Sequence, residues 1–247
     1  MNILLTNDDG ITAPGIAAAY KELAKIGNVT VVAPSGRMSG AGHSITVFEP
    51  LVCEQVKVNG LFTGYSVSGS PADCVKLAVM ELCPRKPDLV VSGINHGANV
   101  GINVYYSGTV AAAMEAAFFR IPAIALSAVN EENTDFKNSA VYSVEVINKL
   151  LPISISSVIS INIPALSKGK PKGIKIVPQS TMGFNEHFTK TQNTTGQTLY
   201  QLACGEYRDE ELPSDTLALD DGFITVTALG FDMTDYKGME KLHQMKL

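Results

Sequence analysis

Short apolar runs of five or six residues recur along the chain, separated by stretches whose apolar positions fall three and four apart. Residues 2–6 (NILLT), 29–33 (VTVVA), 88–92 (DLVVS) and 122–127 (PAIALS) lack the polar alternation of a half-exposed strand, and 158–163 (VISINI) continues the series. They read as strands covered on both faces. Between them, residues 14–26 place Ile16, Tyr20, Leu23 and Ile26 on one helical face, with Pro14 near the start and Gly27 at the end. Residues 71–82 form a second helical stretch with Ser70 as its N-cap, and residues 109–119 a third. Buried strands alternating with helices predict a doubly wound, Rossmann-like α/β fold with a mostly parallel sheet.

Two regions break this rhythm. Residues 45–67 suggest a meander of shorter strands. Residues 179–201 are rich in Thr, Asn and Gln and poor in apolar residues, which fits either a projecting β-hairpin arm that pairs with another subunit or a solvated excursion. A loosely patterned tail covers 232–247. With no repeat, low-complexity tract or linker, the reading is one α/β domain over 1–247, carrying the arm and the tail.

Composition narrows the function. An apolar content of 45%, a charged content of 17% and a mean hydropathy of +0.14 describe a filled core. No run approaches the ~20 uncharged apolar residues of a membrane span. The opening MNILLTNDDG has no basic n-region, so a cytoplasmic protein is expected. Cys53, Cys74, Cys83 and Cys204 show no CxxC or zinc-type spacing and are expected to be buried thiols. A net charge of −5 argues against a nucleic-acid-binding surface. It leaves a small anionic substrate open, because a bound divalent cation reverses the local field.

Ligands of open α/β sheets bind beyond the carboxyl ends of the strands, which selects the loops at 7–14, 34–44 and 93–109 and the one after Ser127. In the first, Asp8 and Asp9 are followed by Gly10. Adjacent side chains of a strand point to opposite faces, but at a strand end both carboxylates can converge, and they then repel unless a cation lies between them. Oxygen donors of this kind suit magnesium or manganese; the same tripeptide also makes simple turns. The loop at 34–44 holds three glycines, Gly36, Gly40 and Gly42, with Ser39 and His43 among them. The third loop sets Asn95 and Asn99 among glycines, with His96 unassigned, and then enters a helix through Ser107-Gly108-Thr109. Such a start presents N–H groups and hydroxyls suited to a phosphate, or plain N-caps. GxxxxGKS/T, GxSxG, HExxH and a GxGxxG after the first strand are all absent, as is the DxD spacing of aspartyl-phosphate phosphatases.

Taken together these segments resemble the SurE family of stationary-phase survival proteins, metal-dependent 5′/3′-nucleotidases. The resemblance rests on ILLTNDDG at 3–10, APGI at 13–16, VVAP at 31–34, SG at 39–40, HSIT at 43–46 and PADCV at 71–75. It continues in PDLVVSGIN at 87–95, GANVG at 97–101 and YSGTV at 106–110, and returns at NIP 162–164, at 214–222 and at 226–227. Departures are Ser70 for a usual Thr, Ala111 and Ala116 for frequent Gly, and Ala228 for a common Pro. The resemblance implies one divalent metal per subunit, Mg or Mn, on Asp8, Asp9, Ser39 and Asn95. It implies phosphate contacts from Asn99, Ser107, Gly108 and Thr109, catalysis by Asp8 and Asp9, nucleoside monophosphate substrates, and a homodimer or homotetramer. The alternative is a metal- and nucleotide-binding protein without turnover.

Overall fold

The computed structural model describes residues 1–152, 158–182, 184–207 and 213–245. In chain order the elements are β1 (Asn2–Thr6), α1 (Pro14–Leu23), β2 (Asn28–Pro34), β3 (Cys53–Val58), β4 (Phe62–Val67) and α2 (Pro71–Leu77), which runs on as a π-helical stretch, Ala78–Leu82. Then come β5 (Leu89–His96), α3 (Gly108–Phe118), β6 (Ala123–Ala128), α4 (Phe136–Leu150), β7 (Val158–Ile163) and β8 (Ile174–Ile176). The chain continues through β9 (Phe184–Gln192), β10 (Thr198–Tyr207), α5 (Asp215–Asp220), β11 (Ile224–Leu229) and α6 (Tyr236–Gln244).

The main sheet has the strand order β3-β4-β2-β1-β5-β6-β7-β11-β8. Every pair from β4 to β7 is parallel, while β3 and β11 run antiparallel to β4 and β7. Successive strand residues feed opposite layers. Ile3 and Leu5 pack toward α1 and α4, against Ile16, Leu23, Val144 and Ile147. Leu4 and Val90 pack toward α2 and α3, against Val75, Ala78, Ala112 and Ala113. This two-sided burial is why the strands read as unbroken apolar runs, each large side chain contributing about 1.5–3 kcal/mol. The doubly wound α/β fold is therefore as the sequence predicts.

Chain order places the crevice. From β1 the chain moves outward to β2 on one side, and β5 then pairs with β1 on the other. Such a reversal opens a cleft at the carboxyl ends of the two strands. Beside it, α1 lies so close to β5 that a Cβ on Gly15 would come within 2.0 Å of the Ile94 carbonyl oxygen.

Several details depart from the sequence reading. Strand β5 continues past Ser92 to His96, with Asn95 and His96 paired to Ser127 and Ala128. It does so through Gly93, whose φ of +138° and a virtual Cβ 2.2 Å from the Leu126 carbonyl admit no side chain. The 45–67 meander reduces to the β3–β4 hairpin, with Val47 and Phe48 exposed ahead of it. Helix α4 lies outside the predicted elements, although Ala140, Val144 and Ile147 mark its buried face and Asp135 caps it. Cys74 is buried, but Cys53 is exposed because it opens edge strand β3; Cys204 falls outside the described side chains. Strands β9 and β10 form an antiparallel hairpin separate from the main sheet, turning at Asn193–Gly196, so the arm extends beyond 201 to Tyr207. The tail holds α6, which has no buried residue. No helix among the described residues is long and apolar enough to cross a membrane.

Candidate metal and phosphate site

Where β1 ends, the Asn7 side-chain amide donates to the Gly10 carbonyl at 2.9 Å, and Gly10 turns with φ +99°. A Cβ on Gly10 would lie 3.2 Å from the Gly36 carbonyl carbon, so this turn rests on the loop after β2. The bend brings Asp8 and Asp9 to the same crevice. Asp8 is only 6% exposed, and its Oδ1 accepts from the Thr109 hydroxyl at 2.5 Å. Asp9 accepts from the His96 backbone N–H at 3.0 Å through Oδ2 and from Arg37 Nε at 3.2 Å through Oδ1. Burial pushes the Asp8 carboxyl above its usual range; the Thr109 hydroxyl opposes this and the charge of Asp9 adds to it.

The loop after β2 is pinned at several points. Met38 N–H donates to the Asp8 carbonyl at 2.7 Å, and the next residue, Ser39, is exposed. Gly42 N–H donates to the Tyr106 carbonyl at 3.1 Å. His43 Nε2 lies 2.9 Å from Glu115 Oε2, and Lys76 holds the other oxygen at 2.6 Å. Burial raises the Glu115 carboxyl, but the His43 and Lys76 partners outweigh it and leave it below its ordinary value. Further on, Thr46 donates its N–H and hydroxyl to Asp73, the acid of a capping box in which Ser70 caps α2. Burial of Asp73 is likewise outweighed by the Thr46 and Ser70 donors, so its pKa is lowered.

From the β5 side, the Asn95 amide nitrogen donates to the Gly97 carbonyl at 2.7 Å, which leaves the amide oxygen as the end able to ligate. Asn99 is held in a buried network: its N–H donates to Asn162 Oδ1 and its Nδ2 to Ser127 Oγ, both at 2.8 Å. The second Nδ2 proton of Asn99 is the one a phosphate can use. Ser107 caps α3 by accepting from Val110 N–H at 3.1 Å. Gly108 presses on Asp8 so closely that a Cβ there would fall 2.9 Å from Asp8 Cβ. The start of α3 thus packs directly on Asp8.

The residues fit a hard divalent cation. Asp8 and Asp9 carry charge, and Asn95 and Ser39 carry neutral oxygens, the donor types that magnesium and manganese take. Asn7 Oδ1, one residue before Asp8, is buried and has no hydrogen-bond partner among the described residues. Sequence reasoning missed Arg37, the His96 N–H and the Asn162–Ser127 pair that carries Asn99. Arg37 was visible as the cation of the glycine-rich loop, but a loop has no periodicity to say which residue it meets. The His96 side chain itself packs edge-on to Phe136, centroids 5.7 Å apart. A cavity of about 770 Å³ opens beyond Ser107, lined by residues such as Met114, Phe118, Ile176, Leu229 and Phe231, and it contains none of the four oxygen donors.

Fold and crevice together define a doubly wound α/β protein with an oxygen-donor site at the switch point of its sheet. The family model of the survival protein SurE matches residues 3–186, and the chain belongs to that family. A relative from Christiangramia forsetii named 5′-nucleotidase SurE is 42% identical over 254 residues, spanning 99% of this chain and 96% of its own. One of the same name from Syntrophobacter fumaroxidans is also 42% identical, over the full length of both chains. The crystal structure of the SurE protein from Aquifex aeolicus superposes with a TM-score of 0.86 at 38% identity, covering both chains completely.

Proposed function

We propose that this chain is a cytoplasmic, metal-dependent phosphomonoesterase that hydrolyses nucleoside 5′- and 3′-monophosphates to nucleoside and phosphate by direct attack of water. The observation that carries the reading is the junction of Asp8 with the start of α3, where Thr109 bonds the carboxylate and Gly108 packs on it. It joins a cation-binding group to an anion-binding helix end at one point. The relatives' name, 5′-nucleotidase SurE, supports the 5′ ester, and the family resemblance supports the 3′ ester and the metal.

Asp8, Asp9, Ser39 and Asn95 would hold one Mg²⁺ or Mn²⁺. When bound, that ion neutralises phosphoryl charge and acidifies a water. Asp8 or Asp9 takes the water's proton. Asp9 is oriented for this by the His96 N–H, and Asp8 by Thr109. The Ser107 hydroxyl, whose oxygen accepts from Val110, keeps its proton to donate to a phosphoryl oxygen. Gly108 brings the helix start within reach, and the spare Asn99 amide proton meets the phosphate from the β5 side.

Metal-free protein is expected to show no hydrolysis of p-nitrophenyl phosphate or AMP, and added Mn²⁺ or Mg²⁺ to restore it. Tight Mn²⁺ and AMP binding without turnover would favour the non-catalytic reading. The exposed Phe188 and Tyr200 of the hairpin, and α6 with no buried residue, support a homodimer or homotetramer. Light scattering is expected to return at least twice the 26.3 kDa of one chain, and a monomer at micromolar concentration counts against assembly.

A further inference from the structure

We infer that Arg37 is a catalytic residue: it rests on Asp9 and passes to the phosphoryl oxygens of the substrate when a divalent cation takes that carboxylate. The inference rests on the phosphatase reading above and adds a residue to it.

The contact itself is suited to exchange. Arg37 reaches Asp9 Oδ1 through Nε alone, at 3.2 Å, and its side chain is 63% exposed while that of Asp9 is 9% exposed. A guanidinium carries five N–H donors, so four remain for another acceptor. Arg37 follows Gly36 and precedes Gly40, whose φ of +71° is open to glycine. The loop on either side is fixed by Ile11 N–H on the Pro34 carbonyl and Met38 N–H on the Asp8 carbonyl. The base of Arg37 is therefore held over the carboxylates while its head stands in solvent.

Charge decides where that head goes. A cation on Asp9 and the guanidinium are like charges competing for one carboxylate, and a divalent ion wins on field strength. Asp8, Asp9 and one divalent ion sum to zero, so a phosphate monoester dianion arriving there meets a neutral centre and the partial positive charge of α3. Of the other basic side chains near this loop, His43 and Lys76 are both engaged by Glu115. Among the recorded ion pairs, Arg37 is the cation that touches the Asp8–Asp9 pair. Its planar fork matches two phosphoryl oxygens, which a lysine cannot do.

The consequence is a pair of effects with opposite signs. Removing the charge by Arg37→Gln relieves the competition for Asp9, so calorimetric titration of metal-free protein with Mn²⁺ should show about 2- to 5-fold tighter binding. The same variant, loaded with Mn²⁺, should bind inorganic phosphate about 10- to 100-fold more weakly and lose a similar factor in kcat/KM for AMP. Arg37→Lys keeps the charge without the fork, so its Mn²⁺ affinity should match the wild type and its phosphate affinity fall between the two. Melting temperatures should stay level, since the side chain is exposed. Weaker Mn²⁺ binding in Arg37→Gln, or unchanged phosphate affinity, overturns the inference. A wild type that takes up Mn²⁺ and hydrolyses AMP while Arg37→Gln equals it in both also overturns it, and leaves the phosphatase reading standing. A wild type that takes up no Mn²⁺ sinks that reading, and this inference with it.

Discussion

Asp8→Asn and Asp9→Asn are each expected to lower kcat by at least about 100-fold while leaving the fold intact. Asn is nearly isosteric with Asp, so packing against Gly108 and the hydrogen bond from Thr109 Oγ1 can both be kept. What is lost is charge at the point where a cation must be held. Asp8 is 6% exposed and its neighbour is a second carboxylate, so its charge is a cost to the metal-free fold. Asp8→Asn should therefore melt no lower than the wild type without metal, and Mn²⁺ should raise its melting temperature less. Loss of activity alone could be unfolding; loss of activity together with an unimpaired metal-free melt locates the defect in the site. The measurements are steady-state kinetics with AMP at saturating Mn²⁺ and thermal melts with and without the ion. Near wild-type turnover in either variant would remove Asp8 and Asp9 from the chemistry.

Much of the fold was legible because buried strands leave a strong trace. Leu4 and Leu5 face opposite layers and both must be apolar, so β1 reads as an unbroken run, and β2, β5 and β6 follow the same logic, while β7 alternates Ile159, Ile161 and Ile163 with the buried polar Ser160 and Asn162. Helix α4 escaped notice even though Asp135 caps it and Ala140, Val144 and Ile147 recur at helical spacing. The polar stretch before it draws the eye to a loop, and a 15-residue helix with half its surface in solvent carries a diluted pattern. At the site, the position of Asp8, Asp9 and Asn95 at strand ends could be read locally. From the sequence Asn95 reads as a loop residue, because Gly93 suggests a strand's end and only its contact with Leu126 shows that it carries the strand onward. The partners of these residues could not be read at all. Arg37 meets Asp9 from 28 positions away and Asn162 meets Asn99 from 63, and such contacts depend on how the sheet is assembled.

The start of α3 is where capping and anion binding separate by substitution. Gly108→Ala is expected to be the most damaging change, since its Cβ would fall 2.9 Å from Asp8 Cβ and 3.1 Å from Pro71 Cγ. Either Asp8 or the first turn of α3 must move, and misplacing a reacting group by about 1 Å costs on the order of 100-fold in kcat. Thr109→Val keeps the volume but leaves Asp8 Oδ1 without its hydroxyl donor in a buried setting. That should lower kcat/KM by roughly 10- to 150-fold, through Asp8 more than through direct contact with phosphate. Ser107→Ala removes the cap on Val110 N–H, about 1 kcal/mol of stability. It also removes a donor to the phosphate, so a smaller loss in kcat/KM should accompany the lower melting temperature. Inorganic phosphate should raise the wild-type melting temperature by mass action, less so in Ser107→Ala and least in Gly108→Ala. The expected order of damage to kcat/KM is then Gly108→Ala, Thr109→Val, Ser107→Ala. Full kcat/KM and full phosphate stabilisation in both Thr109→Val and Ser107→Ala would make this turn a helix cap and nothing more, and the phosphate would have to be sought beside Asn99.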